Sequence, residues 1–257
     1  MVLVPVTVTN PAGQLVNGLG PAHFRIFEDG VEQELLHVFK EEAPISVALL
    51  VDTSGSMRNQ MDAAKQMAVE FLQTANPHDE FMMVEFAERA RMVSRFTDRV
   101  ENLQSEMAVR AANGDTALLD GVYLGATQMR SARNKRRALV LLTDGEDNHS
   151  RYNEEEVKRL LQETDAQFYA IGRFTWLGRR LMSRLVDITG GRMFHDYDPS
   201  QTTPTIWEAL RNQYVLAYAP GNRTRDGAWR KIKVKVRPDP GMPPLAVYAK
   251  AGYLAPQ

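Results

Sequence analysis

A chain of 257 residues, 44% hydrophobic and 25% charged, has the make-up of an ordinary soluble globular protein: one large domain, or a medium one with a smaller companion. Its 31 basic residues against 32 acidic ones leave no bulk charge to draw nucleic acid or an anionic membrane. The absence of cysteine excludes disulfides, thiolate catalysis and cysteine-type zinc sites, and no apolar run approaches the roughly 20 residues of a membrane span. The opening "MVLVPVTVTN" lacks the basic leader of a signal peptide and goes straight into alternation.

Residues 1–43 read as strands. "VLVPVTVTN" alternates, and "FRIFEDGVEQELL" predicts two strands around Asp29-Gly30, a favoured tight turn. From Ile45 strands and helices alternate. "ISVALLVD" is a continuous apolar strand, as expected when both sheet faces are covered. "NQMDAAKQMAVEFLQTA" places Met61, Ala64, Ala68, Phe71 and Leu72 at helical spacing. "EFMMVEFA" and "RMVSRF" follow as strands. "TALLDGVYLGATQMRSA" reads as a helix whose interior glycines either weaken it or mark close packing. The basic run of residues 133–137 reads as the solvated start of the next buried strand, "ALVLLTDG". "NEEEVKRLLQET" predicts a helix with an acidic first turn, "QFYAIGRF" a strand, and "GRRLMSRLVDITGG" a helix ended by glycines. "RMFHDY" and "TPTIWEALRNQ" supply a last strand and helix. This order predicts an α/β fold with a doubly wound, mainly parallel sheet flanked by helices over 44–213.

After Gln213 the helical period disappears. "YVLAYAP", "WRKIKVKVRP" and "LAVYAKAGYLA" read as strands, with Ile232, Val234 and Val236 facing a core and Lys231, Lys233 and Lys235 facing water. The β-rich ends, 1–43 and 214–257, are each too small for a good core. They are therefore expected to meet as one smaller β-sandwich-like module.

Three polar clusters fall beyond strand ends, where open α/β sheets bind ligands. Asp52, Ser54 and Ser56 in "VDTSGSM" follow the first α/β strand. Thr116 in "GDTALLDG" opens a helix, and Asp144 in "LLTDGEDN" ends a buried strand. A serine nucleophile would want a base and an oxyanion hole, and the G-x-S-x-G elbow is absent around Ser54. A phosphate cradle would want several glycines and a lysine; "DTSGSMRN" has one glycine, no lysine and a repelling aspartate. A hard divalent cation suits hydroxyls and carboxylates better, Mg²⁺ preferring near-octahedral oxygen coordination at ~2.0–2.1 Å. Taken alone, "DTSGS" is equally an N-cap and turn.

At these residues the sequence resembles a von Willebrand factor A-type (VWA) domain with a metal-ion-dependent adhesion site, a Rossmann-like fold. The family's D-x-S-x-S is present as Asp52-Thr53-Ser54-Gly55-Ser56, its threonine as Thr116 and its later aspartate as Asp144, in the right order. The resemblance covers roughly residues 44 to 213. It implies that Ser54, Ser56 and Thr116 contact the metal while Asp52 and Asp144 act mainly through water. The metal would be Mg²⁺, with Mn²⁺ or Ca²⁺ as substitutes, and the sixth position would fall to water or a partner's Glu or Asp. The flanks "FRIFEDGVEQEL" and "YVLAYAP…DGAWRKIKVKV…AKAGYLAP" resemble the VWFA-related group found widely in Acidobacteria. That resemblance implies a bacterial protein exported from the cytoplasm: secreted, periplasmic or on the cell surface.

The function so implied is a non-enzymatic, adhesion-type module in which the bound cation captures an acidic residue of a protein partner. Residues 57–60, 113–115 and 146–151 are the loops expected to select it. An alternative is a VWA subunit of an intracellular ATPase- or chelatase-type assembly, against which the β-rich flanks and the lack of an ATPase segment count. A third is metal-assisted hydrolysis with His149 or Asp147 recruited as base. Trp176, Trp207 and Trp229 read as packing residues, and the twelve methionines as core filler. His23, His37, His78 and His195 lack metal-ligand spacing.

Overall fold

The structure, a computed structural model, describes residues 1–40, 43–107, 112–195 and 197–257. Its strands begin with β1 (Val2–Thr9), β2 (Phe24–Glu28), β3 (Val31–Gln33), β4 (Leu35–Lys40) and β5 (Ile45–Asp52). Helix α1 (Met61–Gln73), β6 (Glu80–Phe86), β7 (Ala90–Thr97), α2 (Val100–Met107), α3 (Leu118–Gln128) and β8 (Arg136–Leu142) follow. Then come α4 (Glu154–Thr164), β9 (Gln167–Ile171), α5 (Trp176–Thr189), β10 (Met193–Phe194) and α6 (Pro199–Arg211). The chain ends with β11 (Tyr214–Tyr218), β12 (Trp229–Val236), β13 (Ala246–Ala249) and β14 (Gly252–Leu254). It divides into two compact units, residues 44–186 with 192–204, and residues 1–43 with 187–191 and 205–257.

The first unit is built on a six-stranded sheet in the order β10-β9-β8-β5-β6-β7. All neighbours run parallel except the β6–β7 hairpin at one edge. Every residue of β5 and of β6 is buried, which is why both read as unbroken apolar or near-apolar runs. On one face Ala48, Leu50, Met82, Val84, Leu139 and Phe168 meet α3, α4 and α5 in a single core. On the other, Phe71 of α1 packs edge-on against Phe81 of β6, the ring centroids 6.3 Å apart. The glycines inside α3 mark close packing. A Cβ on Gly121 would stand 2.5 Å from the ring of Phe86, and one on Gly125 would stand 2.6 Å from a methyl of Leu50.

Consecutive strands leave β5 in opposite directions, β6 on one side and β8 on the other. The carboxyl end of β5 is therefore the topological switch point of the sheet, where the loops part to leave a crevice.

The second unit holds two antiparallel four-stranded sheets, β13-β1-β11-β4 and β14-β12-β2-β3. Val4, Val6 and Val8 of β1, Ile26 of β2, Leu216 of β11 and Ile232 of β12 share one core between them. Asp29 and Gly30 both take positive φ, 50° and 86°, the conformation a two-residue hairpin turn requires. Lys231, Lys233 and Lys235 are exposed while Ile232 is buried and Val234 and Val236 are half-buried. Glu28 is buried and accepts hydrogen bonds from the hydroxyls of Tyr218 (2.6 Å) and Tyr253 (3.0 Å).

Three elements differ from the sequence expectation. "LAVYAKAGYLA" is two strands, β13 pairing with β1 in one sheet and β14 with β12 in the other. The chain changes sheet at residues 250–251, and Gly252 follows because a Cβ there would lie 2.3 Å from the Arg230 carbonyl oxygen. "RMFHDY" shrinks to the two residues of β10; its Asp196 lies outside the described residues. Helix α2, "VENLQSEM", is an addition, from a stretch too polar to show a clear apolar stripe.

The α3 contact yields a stability prediction. Overpacking a filled core costs about 1–3 kcal/mol, against the ~1 kcal/mol that alanine gains over glycine in a helix interior. Gly121→Ala should therefore lower the urea midpoint, because the Phe86 ring is buried on all sides. Gly125→Ala should lower it less, because a methyl end can turn aside. Paired denaturation curves of the two variants check the order.

Candidate metal centre

The five sequence-predicted ligands sit on three loops at the switch point, joined by backbone hydrogen bonds. Thr53 N–H donates to Phe86 O (2.8 Å), Gly55 N–H to Gly114 O (2.9 Å) and Asn113 N–H to Thr53 O (3.0 Å), so the loop after β5 is tied to the one before α3. The latter is tied to the loop after β8 in turn. Thr116 N–H donates to Asn148 Oδ1 (2.8 Å), and the N–H groups of Asn148 and His149 both donate to Thr116 O (3.0 Å each). Gly114, at φ +80°, makes the tight approach to Gly55 possible.

Asp52 ends β5 completely buried. Its Oδ1 accepts from Ser54 N–H (2.9 Å) and its Oδ2 from the Thr143 hydroxyl (2.5 Å). Ser54 Oγ lies 3.1 Å from Ser56 Oγ; Ser54 is buried and Ser56 exposed, so the pair runs from the interior to the surface. Asp144 is buried, its Oδ1 accepting from Glu146 N–H at 3.2 Å. Thr116 is buried beside Ala117 at the mouth of α3. Asp52, Ser54 and Ser56 are thus in direct contact, Asp144 bears on Asp52 through its charge, and Thr116 is brought in by the loop ties.

Burial pushes the Asp52 carboxyl up to about 6, the nearby Asp144 charge adding to it and the hydrogen bonds from Ser54 and Thr143 opposing it. Tyr197 lies close enough for both carboxylates to act on it: burial, then the charges of Asp52 and Asp144, raise its phenol. Its hydroxyl points to Met57 Sδ, 3.7 Å away. Among the described residues no lysine or arginine pairs with Asp52 or Asp144. Nor, among them, do three histidine, aspartate or glutamate side chains gather as a metal set, so an ion here would have to draw on the hydroxyls. Two buried carboxylates, one of them bonded to Ser54 and neither in an ion pair among the described residues, form with the serine hydroxyls a donor set suited to a hard divalent ion.

The surrounding loops divide differently from expectation. Met57 is fully buried, leaving Arg58 and Asn59 as the exposed part of 57–60. Residues 113–115 are exposed. Within 146–151, Asp147 is spent inside the fold, accepting from Leu118 N–H (2.9 Å) and the Ser150 hydroxyl (2.5 Å), and Asn148 is spent on Thr116. Buried Asp120 closes the loop, accepting from Arg151 N–H (2.8 Å) and Tyr152 N–H (3.1 Å). His149 is exposed, 3.7 Å from Asp115.

Of the tryptophans, Trp207 is buried and Trp229 half-buried, but Trp176 is 67% exposed, and its neighbour Leu177 is 71% exposed. Trp176 is therefore no packing residue. It opens α5, whose first turn is held against the loop of Asp144. Thr175 N–H donates to Asp144 O (3.3 Å), and a Cβ on Gly178 would stand 2.6 Å from Gly145 O. The paired glycines, 33 positions apart in "TDGED" and "TWLGRR", were the only trace of this contact in the sequence.

With this geometry in view, residues 47–146 match the family model of the von Willebrand factor type A domain. The matched residues lie within the first unit of the chain. A curated human relative, von Willebrand factor A domain-containing protein 3B, is 27% identical over 174 residues, 65% of this chain. The match accounts for 13% of that protein's length. The von Willebrand factor type A structure from Catenulispora acidiphila aligns over 99% of this chain and 74% of its own, with 15% identity and a TM-score of 0.54. An aerotolerance-related membrane protein from Bacteroides fragilis aligns over 65% of this chain and 98% of its own, with 16% identity and a TM-score of 0.56. These structures share the fold.

Beside the candidate centre, Glu154 at the start of α4 accepts from Arg184 Nε (2.5 Å) and Nη2 (2.6 Å) and pairs with Lys158 at 2.7 Å. The Arg184 hydrogen bond, with Lys158 assisting, holds its carboxyl down to about 2 from an ordinary 4.5. A carboxyl depressed by folding stabilises above its unfolded value and loses that contribution as pH falls through its folded one. The stability difference between wild type and Glu154→Gln should accordingly be full above pH 4.5 and close between 4.5 and about 2. Melting curves across that window measure it.

Proposed function

We propose that this protein is a metal-dependent protein-binding module in which a divalent cation at the carboxyl edge of the central sheet captures an acidic residue of a partner. The reading rests above all on two buried carboxylates, Asp52 bonded to Ser54 and Asp144 near enough to act on Asp52 by its charge, with no ion-pair partner among the described residues. Ser54, Ser56 and Thr116 would hold the ion through their hydroxyls, with Asp52 and Asp144 behind them acting through water. Mg²⁺, or Mn²⁺ or Ca²⁺ in its place, would supply an electrophilic centre that neutral hydroxyl ligands leave hungry for a further anionic oxygen. Exposed Ser56 marks the open side, where a partner's Glu or Asp could approach.

Capture is favoured over hydrolysis by the state of the groups that might serve as base. Asp147 Oδ1 is taken up by Leu118 N–H and the Ser150 hydroxyl, which fixes the carboxylate towards α3, and His149 lies out in solvent beside Asp115. The sequence resemblance of the flanks to an exported bacterial group supports a location outside the cytoplasm, with a protein partner met there. Likeness to a Bacteroides membrane protein agrees with it.

Thermal melts test the centre directly. An ion at 100 times its dissociation constant adds about 2.7 kcal/mol when it binds only the folded state. Mg²⁺ should raise the melting temperature of the wild type, and the rise should vanish in Ser54→Ala/Ser56→Ala and shrink in Asp144→Ala. No shift with Mg²⁺, Mn²⁺ or Ca²⁺ would remove the metal from the proposal. An undiminished shift in the double serine variant would remove these residues as its ligands.

A further inference from the structure

We infer that the partner is bound at two points: by a carboxylate at the metal and by an apolar side chain seated on Trp176 and Leu177 and in the cleft beside them. The inference rests on the metal-dependent reading above and extends it to the chemistry of the partner. Trp176 and Leu177 are adjacent, 67% and 71% exposed, and lie at the start of α5, one residue beyond the Thr175 N–H that donates to the Asp144 carbonyl. Their display is rigid. Gly178 is pressed against Gly145, so closely that a side chain on either would collide with the other's backbone. The apolar pair is therefore fixed to the very loop that carries Asp144.

A cleft of about 440 Å³ continues from Leu177, lined by the three leucines Leu119, Leu177 and Leu181 and, on its polar side, by Glu146, Asp147 and the Glu154–Arg184 ion pair. It is large enough for a bulky side chain, and its apolar residues come from α3 and α5. Charge gives the partner its direction. Arg179 and Arg180 are exposed on the Trp176 side, with the Arg180 guanidinium 4.9 Å from the centre of the Trp176 ring. Glu146 is exposed and lines the cleft. An acidic residue thus belongs at the metal and arginine side, away from the acidic groups of the cleft, while Leu119, Leu177 and Leu181 offer a seat to an uncharged apolar group. The fitting occupant is an acidic protein segment carrying an aromatic or large aliphatic residue a few positions from its Asp or Glu. Tryptophan in such a setting is the side chain on which interface energy tends to concentrate.

The test is selection of a random displayed peptide library on the whole chain in Mg²⁺, followed by affinity measurement of the enriched peptides. The expected winners pair an acidic residue with a nearby aromatic or aliphatic one, and lose affinity in EDTA. Trp176→Ser/Leu177→Ser should weaken them about tenfold or more while leaving the Mg²⁺ shift of the melting temperature unchanged, because both side chains are mostly exposed and neither contributes to the metal centre. Peptides that need metal but bind the double variant equally well overturn this inference and leave the metal-dependent reading standing. Peptides that bind in EDTA and to Ser54→Ala/Ser56→Ala overturn both. Failure to enrich any peptide, or enrichment of acidic peptides without an apolar companion, also counts against the two-point surface.

Discussion

The constraint on which the site turns is the confinement of two carboxylates beyond neighbouring buried strands, Asp52 at the end of β5 and Asp144 after β8. Asp52 cannot reach water: β5 lies in the middle of the sheet, and all eight of its residues are buried. An ionised carboxylate in such a place must be neutralised, protonated or surrounded by donors. The Ser54 N–H and the Thr143 hydroxyl supply two hydrogen bonds, yet burial outweighs them, the Asp144 charge adds to it, and Asp52 is left with an elevated pKa. Nothing in the packing of β5 demands an acid there. The repulsion is relieved most simply by a positive charge between the loops.

The rest of the local structure serves to hold that confinement in shape. Three loops that could each move alone are stitched to one another through backbone groups of Gly55, Gly114, Thr116 and Asn148. Asp120 and Asp147, which by type could be further ligands, instead accept N–H groups from Arg151, Tyr152 and Leu118 and so fix where the loop after β8 runs. Acids near the site therefore divide into two kinds. Asp52 and Asp144 accept N–H groups from within their own loops, those of Ser54 and Glu146, whereas Asp120 and Asp147 accept them from other elements.

Much of this was legible in the sequence, for identifiable physical reasons. Strands β5 and β8 are buried on both faces and write themselves as apolar runs, and α4 announces itself with the Asn153–Glu156 capping box behind an acidic first turn. The order of elements leads to a doubly wound sheet, and the switch-point rule then gathers Asp52, Ser54, Ser56, Thr116 and Asp144 at one edge. What stayed hidden depended on contacts between distant residues. Nothing local says that Asp147 caps α3, that Met57 turns inward beneath Tyr197, or that the last strand breaks to cross between sheets at Gly252. Exposure of Trp176 was hidden for the same reason. Composition assigns a tryptophan to packing by default, and only the Gly145–Gly178 contact reveals which way this helix end faces.

That contact bears on function through what it leaves undone. Burying a large apolar side chain contributes about 1.5–3 kcal/mol relative to leaving it in water, so a fold that exposes tryptophan and leucine side by side forgoes stability it could have had. Elsewhere in the unit the sequence is thrifty with apolar surface: Leu181, the third leucine of the cleft, is half-buried, and Met182, Leu185 and Val186 of the same helix are in the core. A helix already anchored through those residues has no structural need for Trp176 or Leu177. Their position is set by two glycines whose lack of side chains is what lets α5 begin against the Asp144 loop. An apolar pair that the fold does not need, held rigidly on the loop of a buried carboxylate, is what binding by two unlike points would require: a strong directional attraction for a charge, and a broad, less directional contact that decides which charge-bearing segment stays.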